Sequence, residues 1–135
     1  GDELTIPATH PDVNVVDVGR VCEEERATWL RSADLLVLPS ESETFGLVLL
    51  EAWSVATPVL TSRIPSLRSL VERSGGGQAC SRDAKSLARS IESMLSDPER
   101  LLSMGQAGRR FWEQHCTPDR IAAWHVDLYR TLMDG

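Results

Sequence analysis

Apolar and polar positions run along this chain in blocks whose period keeps changing. Val13–Gly19 (VNVVDVG) is valine-rich and ends in glycine, which predicts a strand. Glu23–Ala33 opens on three acids and then places Ala27, Leu30 and Ala33 at spacings of three, which predicts a helix. Asp34–Pro39 (DLLVLP) is a continuous apolar run of the kind found in strands buried on both faces. Gly46–Ala56 is apolar almost all round and predicts a well-buried helix. Pro58–Thr61 predicts a short strand and Ser66–Ser74 a helix stopped by Gly75-Gly76-Gly77. Gly77–Cys80 predicts another short strand. Three helix patterns close the chain. Ala84–Leu95 carries Leu87, Ala88, Ile91, Met94 and Leu95 behind Asp83 as cap. Pro98–Gln114 follows Asp97, and Pro118–Met133 follows Thr117. The tryptophans, Trp29, Trp53, Trp112 and Trp124, are spaced like packing residues.

Strand–helix alternation predicts an α/β class: a Rossmann-like parallel sheet flanked by helices. Only four strands are counted, where doubly wound domains commonly have five or six, so the chain is expected to begin partway through a domain. Composition fits this picture. In 135 residues, 41% are hydrophobic and 25% charged, ordinary for a globular protein. About two-thirds of the unfolded surface should be buried at this size. No apolar run approaches the ~18 residues of a membrane span, and no signal peptide is visible. A net charge of −6 disfavours a whole-domain grip on nucleic acid or anionic lipid. Cys22, Cys80 and Cys116 are odd in number and far apart, so buried thiols in a reducing cytosol are expected rather than a zinc site or disulfides.

The segment Pro39–Glu51 (PSESETFGLVLLE) carries the chemistry. A buried strand ends at Pro39, a polar loop follows, and a helix begins near Phe45-Gly46. In an open α/β sheet, ligands bind outside the carboxyl ends of the strands. The first helical turn offers unpaired N–H groups at Gly46, Leu47 and Val48, which favour an anion such as a diphosphate. Gly46 lets a ligand approach its backbone closely. Glu43 lies in the loop and Glu51 about 8 Å along the helix. Two carboxylates so placed can accept hydrogen bonds from hydroxyls at two ends of one elongated ligand, such as a nucleotide diphosphate sugar. A metal site is disfavoured, because the spacing is wrong for two ligands on one helical face and no histidine joins them. Both glutamates also have plainer accounts. Glu43 serves as a partner of the helix dipole, and Glu51 stands on an exposed stripe, although an acid in this apolar helix is costly unless paired and so also points to a function.

The segment E-T-F-G-L-V-L-L-E, Glu43 to Glu51, resembles the E-x7-E signature of glycosyltransferase family 4, written E-x-F-G-x-x-x-x-E. The flanks A-D-L-L-V-L-P-S and E-A-W-S-V-A-T-P-V-L agree, and the likeness covers nearly all of residues 13–133. The resemblance implies the nucleotide-sugar-binding C-terminal half of a GT-B fold, working in retaining, metal-independent sugar transfer without a cofactor. It implies that Glu51 holds the donor ribose and that Glu43 contacts the donor sugar near the reacting centre as the catalytic residue. The backbone amides of Phe45, Gly46, Leu47 and Val48 would meet sugar and diphosphate. The implied organisation is a partial nucleotide-sugar-binding domain over 1–117 and a closing helix over 118–135 packed on it. The implied partners are the donor and an N-terminal acceptor-binding domain or partner chain, in the cytoplasm.

The sequence departs from the family at three places. Ala56 stands where a turn usually has glycine. Ser62-Arg63-Ile64-Pro65-Ser66 replaces a loop of small residues that ends in an acid. The family's diphosphate-neutralising Arg and Lys find no match in residues 1–12, and Arg20 and Arg63 are not assigned that role. These departures keep a second account open, a non-catalytic nucleotide-sugar-binding or degenerate subunit acting through a partner chain. A third, a sugar-nucleotide epimerase of the same fold, is disfavoured by the motif with its flanks. His10, His115 and His125 are isolated and suggest no catalytic grouping. Without an N-terminal domain, the apolar face of the last helix is expected to be partly exposed.

Overall fold

The computed structural model describes residues 13–133. In chain order the elements are α1 (Glu23–Ser32), β1 (Leu36–Leu38), α2 (Leu47–Ser54), β2 (Val59–Ser62) and α3 (Pro65–Ser74). They are followed by β3 (Gly77–Cys80), α4 (Ala84–Leu95), α5 (Pro98–His115) and α6 (Pro118–Met133). The three strands form one parallel sheet in the order β1-β2-β3. Leu36 pairs with Val59, and Val59 in turn with Gly77. Parallel strands need crossovers, and α2 and α3 supply them.

Side chains alternate across a strand, so β2 feeds two cores. Val59 joins Leu30, Leu49, Ala52, Trp53, Leu67 and Val71 from α1, α2 and α3. Leu60 joins Cys80, Met94 and Leu101, with Leu35, Val37, Leu87, Ile91 and Met104 packed against them. The long α5, spanning about 27 Å, contributes Leu101 and Met104 to the second core and Phe111 and Trp112 to the first. The result is a helix–sheet–helix sandwich whose strand ends carry the polar loops.

Local chemistry fixes the element ends. Glu25 Oε2 accepts from the Cys22 N–H at 3.1 Å at the start of α1. Asp83 Oδ1 accepts from the Ser86 N–H at the start of α4, and this bonding holds its carboxyl below the usual range. Gly75 ends α3 at φ 65°, its N–H on the Val71 carbonyl.

Several expectations need correcting. Val13–Gly19 is not a strand. A strand exists through its ladder, and no strand among the described residues lies beside this one. Its valines are 44–63% exposed. The run Asp34–Pro39 contains β1, but β1 is half-buried rather than buried, because one of its edges is free among the described residues. Trp53 is fully buried and Trp112 partly, whereas Trp29 and Trp124 are exposed. Of the thiols only Cys80 is buried. Cys22 is exposed, and Cys116 is intermediate, with burial pushing its pKa up. The last helix, α6, carries its apolar residues Ile121, Trp124, Leu128 and Leu132 exposed. No residue of α6 is buried. His10 lies outside the described residues.

Candidate functional site

The loop between β1 and α2 leaves the carboxyl end of the sheet. It is pinned from two sides. The Ser62 hydroxyl, at the end of β2, donates to the Ser40 carbonyl at 2.5 Å. The Ser66 hydroxyl, in the first turn of α3, donates to the Glu43 carbonyl at 3.0 Å. The Glu43 carboxylate folds back on its own loop, where Oε1 accepts from the Thr44 N–H at 3.1 Å.

Gly46 caps α2 in the left-handed conformation, φ 67° and ψ 49°. It is buried, and a Cβ there would meet Leu67 Cδ2 at 2.7 Å. Glycine is therefore favoured twice, by backbone angle and by the close approach of the Leu67 side chain from α3. The Leu49 N–H already turns back to the Gly46 carbonyl at 2.9 Å. Leu47 and Val48 are the first two residues of the helix, whose N–H groups have no acceptor within it. Phe45 and Leu47 are exposed beside this turn, and Val48 is partly buried. The sequence-predicted group Phe45, Gly46, Leu47 and Val48 thus forms the corner that opens α2, exposed at Phe45 and Leu47 and buried at Gly46, with Glu43 just before it.

Glu51 stands apart from that corner, four residues into α2. Its partner is Arg26 of α1. Arg26 Nε lies 2.8 Å from Oε2, and Nη2 donates to Oε1 at 3.0 Å. Arg26, Glu51, Glu23, Ala27, Leu30 and Ser54 line a small cleft of about 100 Å³ between the two helices. The two glutamates of the motif are thereby tied to opposite neighbours of α2, Glu43 toward α3 and Glu51 toward α1. Sequence reasoning missed Arg26, which reads along the chain as one more charge on an acidic helix start. Its only signal along the chain was an acid, Glu51, in an otherwise apolar helix.

At the ends of the strands a broader hollow of about 460 Å³ runs past Ser40, Glu41, Ser62, Arg63 and Arg82. Arg82 is engaged by Glu41 at 3.1 Å. Arg63 is exposed and its N–H bonds the Cys80 carbonyl, which seats the altered loop directly before α3. Ala56 adopts φ 62°, so the turn after α2 keeps the left-handed geometry although its residue is not glycine. Among the described residues no cluster of three or more His, Cys, Asp or Glu is arranged to hold a metal ion, and no helix is long and apolar enough to cross a membrane. His115 stacks on Phe111, and the His125 ring bonds the Ile121 carbonyl within α6.

The chain is 34% identical over 133 residues to the D-inositol 3-phosphate glycosyltransferase of Pseudarthrobacter chlorophenolicus, covering 98% of this chain and 31% of that protein. It is 39% identical over 94 residues to the glycogen synthase of Mycobacterium tuberculosis, covering 69% of this chain and 23% of that protein. Among solved structures, sucrose-phosphate synthase from Thermosynechococcus elongatus superposes with a TM-score of 0.78 at 33% identity, over 87% of this chain and 30% of that one. The chain thus spans under a third of the length of these relatives, and its Rossmann-like sheet is part of a GT-B fold. The sequence pattern described as glycosyl transferases group 1 matches residues 6–111, and the chain belongs to that family of glycosyltransferases.

Proposed function

We propose that this chain is the donor-binding part of a retaining glycosyltransferase, which moves a sugar from a nucleotide diphosphate sugar to an acceptor. The observation that carries this reading is the corner at Gly46. A buried left-handed glycine opens α2 at the carboxyl end of the sheet, with Glu43 before it and Glu51 farther along the helix.

In this reading Glu51 accepts hydrogen bonds from the ribose hydroxyls and Glu43 is the catalytic residue at the donor sugar. The amides of Phe45, Gly46, Leu47 and Val48 face the diphosphate. The bond from the anomeric carbon to the diphosphate oxygen breaks, and its electron pair leaves with the diphosphate. The acceptor oxygen bonds the carbon on the same face, and its proton passes to the leaving diphosphate. Fixed N–H groups stabilise the charge that develops on that leaving group, where preorganised donors are worth most. The reaction needs no metal in this scheme. An N-terminal acceptor-binding domain or partner chain supplies the acceptor, and orientation lost without it would suppress turnover. The relatives named for D-inositol 3-phosphate and for glycogen act on different acceptors. A cytoplasmic setting accords with nucleotide sugars as donors.

Calorimetry with UDP, GDP and ADP tests the reading. One nucleotide should bind, and Glu51→Ala should weaken it about ten- to a hundredfold, the loss of a hydrogen bond to a charged group. Equal binding by wild type and Glu51→Ala would overturn the donor-site assignment. Absence of binding would mean that further strands complete the site or would favour the degenerate-subunit branch of the alternative, whereas binding without transfer would favour its nucleotide-sugar-binding branch.

A further inference from the structure

Arg26 engages both oxygens of the Glu51 carboxylate, at 2.8 and 3.0 Å. Fork-to-carboxylate pairing of this kind fixes the plane of the carboxylate as well as its charge. An ionised carboxylate has about four acceptor sites, so a two-point arginine leaves about two for hydroxyl donors. The pair is neither buried nor free, with the side chains 43% and 38% exposed, so a ligand can reach Glu51 while Arg26 still holds it. The two residues sit 25 apart in sequence on separate helices. The packing of α1 on α2, anchored by buried Leu30 and the Thr57 hydroxyl on the Leu30 carbonyl at 2.6 Å, sets their meeting.

We propose that Arg26 is a positioning residue for Glu51, holding its carboxylate in the one orientation that meets the donor's ribose diol. This rests on the donor-site reading above. Arg26 acts through Glu51 and does not itself touch the nucleotide. Without it, the Glu51 side chain must be ordered at the moment of binding. Ordering a side chain of this kind weakens binding about two- to tenfold.

The test is calorimetry on wild type, Arg26→Ala, Arg26→Lys, Glu51→Ala and the Arg26→Ala/Glu51→Ala double variant. The ligands are the nucleoside diphosphate that binds and its 2′,3′-dideoxy analogue. Arg26→Ala should weaken the ribonucleotide about two- to tenfold and leave the dideoxy analogue unchanged. In the Glu51→Ala background it should cause no further loss. Arg26→Lys should behave like Arg26→Ala, because a single ammonium cannot hold both oxygens in one plane. A structural role alone would weaken both ligands equally, and that result overturns the proposal. So does unchanged binding, or tighter binding, in Arg26→Ala while Glu51→Ala still loses affinity. If Glu51→Ala binds like wild type, or wild type does not bind, the donor-site reading itself fails and this proposal with it.

Discussion

Helices α5 and α6 open with the same device, a proline in the first turn behind an oxygen-bearing cap, and run 18 and 16 residues. Asp97 Oδ1 accepts from the Arg100 N–H at 3.0 Å, and Thr117 Oγ1 from the Arg120 N–H at 3.3 Å. Both are amphipathic. Yet α5 reaches both cores, and α6 buries nothing. On α5, glycines stand where it meets α2 and its exit turn. A Cβ at Gly105 would stand 2.1 Å from the Ala56 carbonyl oxygen, and one at Gly108 would stand 2.2 Å from Trp53 Cδ1. The backbone of α5 therefore lies directly on α2 and its exit turn. On α6, Trp124, Tyr129 and Leu132 are each more than 60% exposed. Amphipathy specifies a helix, while burial needs a surface shaped to receive it. The consequence for function is indirect: α5 braces the far end of the helix whose near end bears the candidate site.

The strongest way to break this comparison is to remove the side chain that α5 grips. Trp53 is fully buried, stacks edge-on to Phe111 at 5.8 Å and donates from Nε1 to the Gly76 carbonyl at 3.0 Å. Trp53→Ala should cost about 3–5 kcal/mol, read as a shift in the urea unfolding midpoint. A cost under 1 kcal/mol would mean that α5 is not anchored through α2. Gly108→Ala attacks the same contact from the other side. Overpacking of this kind costs about 1–3 kcal/mol. The variant should lose more stability than helix propensity would return, although alanine is the better helix former.

The sequence made one side of this contrast readable and hid the other. Runs such as Asp34–Pro39 and Pro58–Thr61 announce strands because apolar clustering is local. The left-handed stop at Gly75 is equally local. The site corner was legible for the same reason, since Gly46, its flanking amides and the spacing of Glu43 and Glu51 all lie within one strand–loop–helix passage. Arg26 was not legible, because its role depends on α1 lying against α2. Val13–Gly19 failed as a strand for a related reason: valines favour an extended backbone, but a ladder needs a neighbour that the run does not contain. Trp29 and Trp124 mislead in the same way, since an aromatic residue on a helix reports appetite for a partner and not the presence of one.

The turn joining α2 to β2 offers a smaller and opposite effect. Ala56 is held at φ 62° with its carbonyl against Gly105. A left-handed alanine is strained by roughly 1–2 kcal/mol, and glycine relieves that strain while giving the unfolded chain more freedom. Ala56→Gly should therefore stabilise the chain by about 0.5–1 kcal/mol in the same unfolding measurement. A loss of stability would show that the alanine methyl makes a contact that outweighs its backbone strain.

The smallest effect is expected where the sequence pattern looks most demanding. Trp124→Ser and Leu132→Ser replace large apolar residues that are 62% and 69% exposed. Were α6 packed like α5, each would cost several kcal/mol. Substitutions at exposed positions stay within about ±0.5 kcal/mol, so both variants should unfold at the wild-type midpoint. They should differ from wild type in self-association, because removing apolar side chains shrinks an exposed patch that favours sticking. Sedimentation across a concentration series reads that separately from stability. A midpoint shift above 1 kcal/mol at low concentration would mean that α6 folds back onto the sheet in solution, and the contrast with α5 would fall.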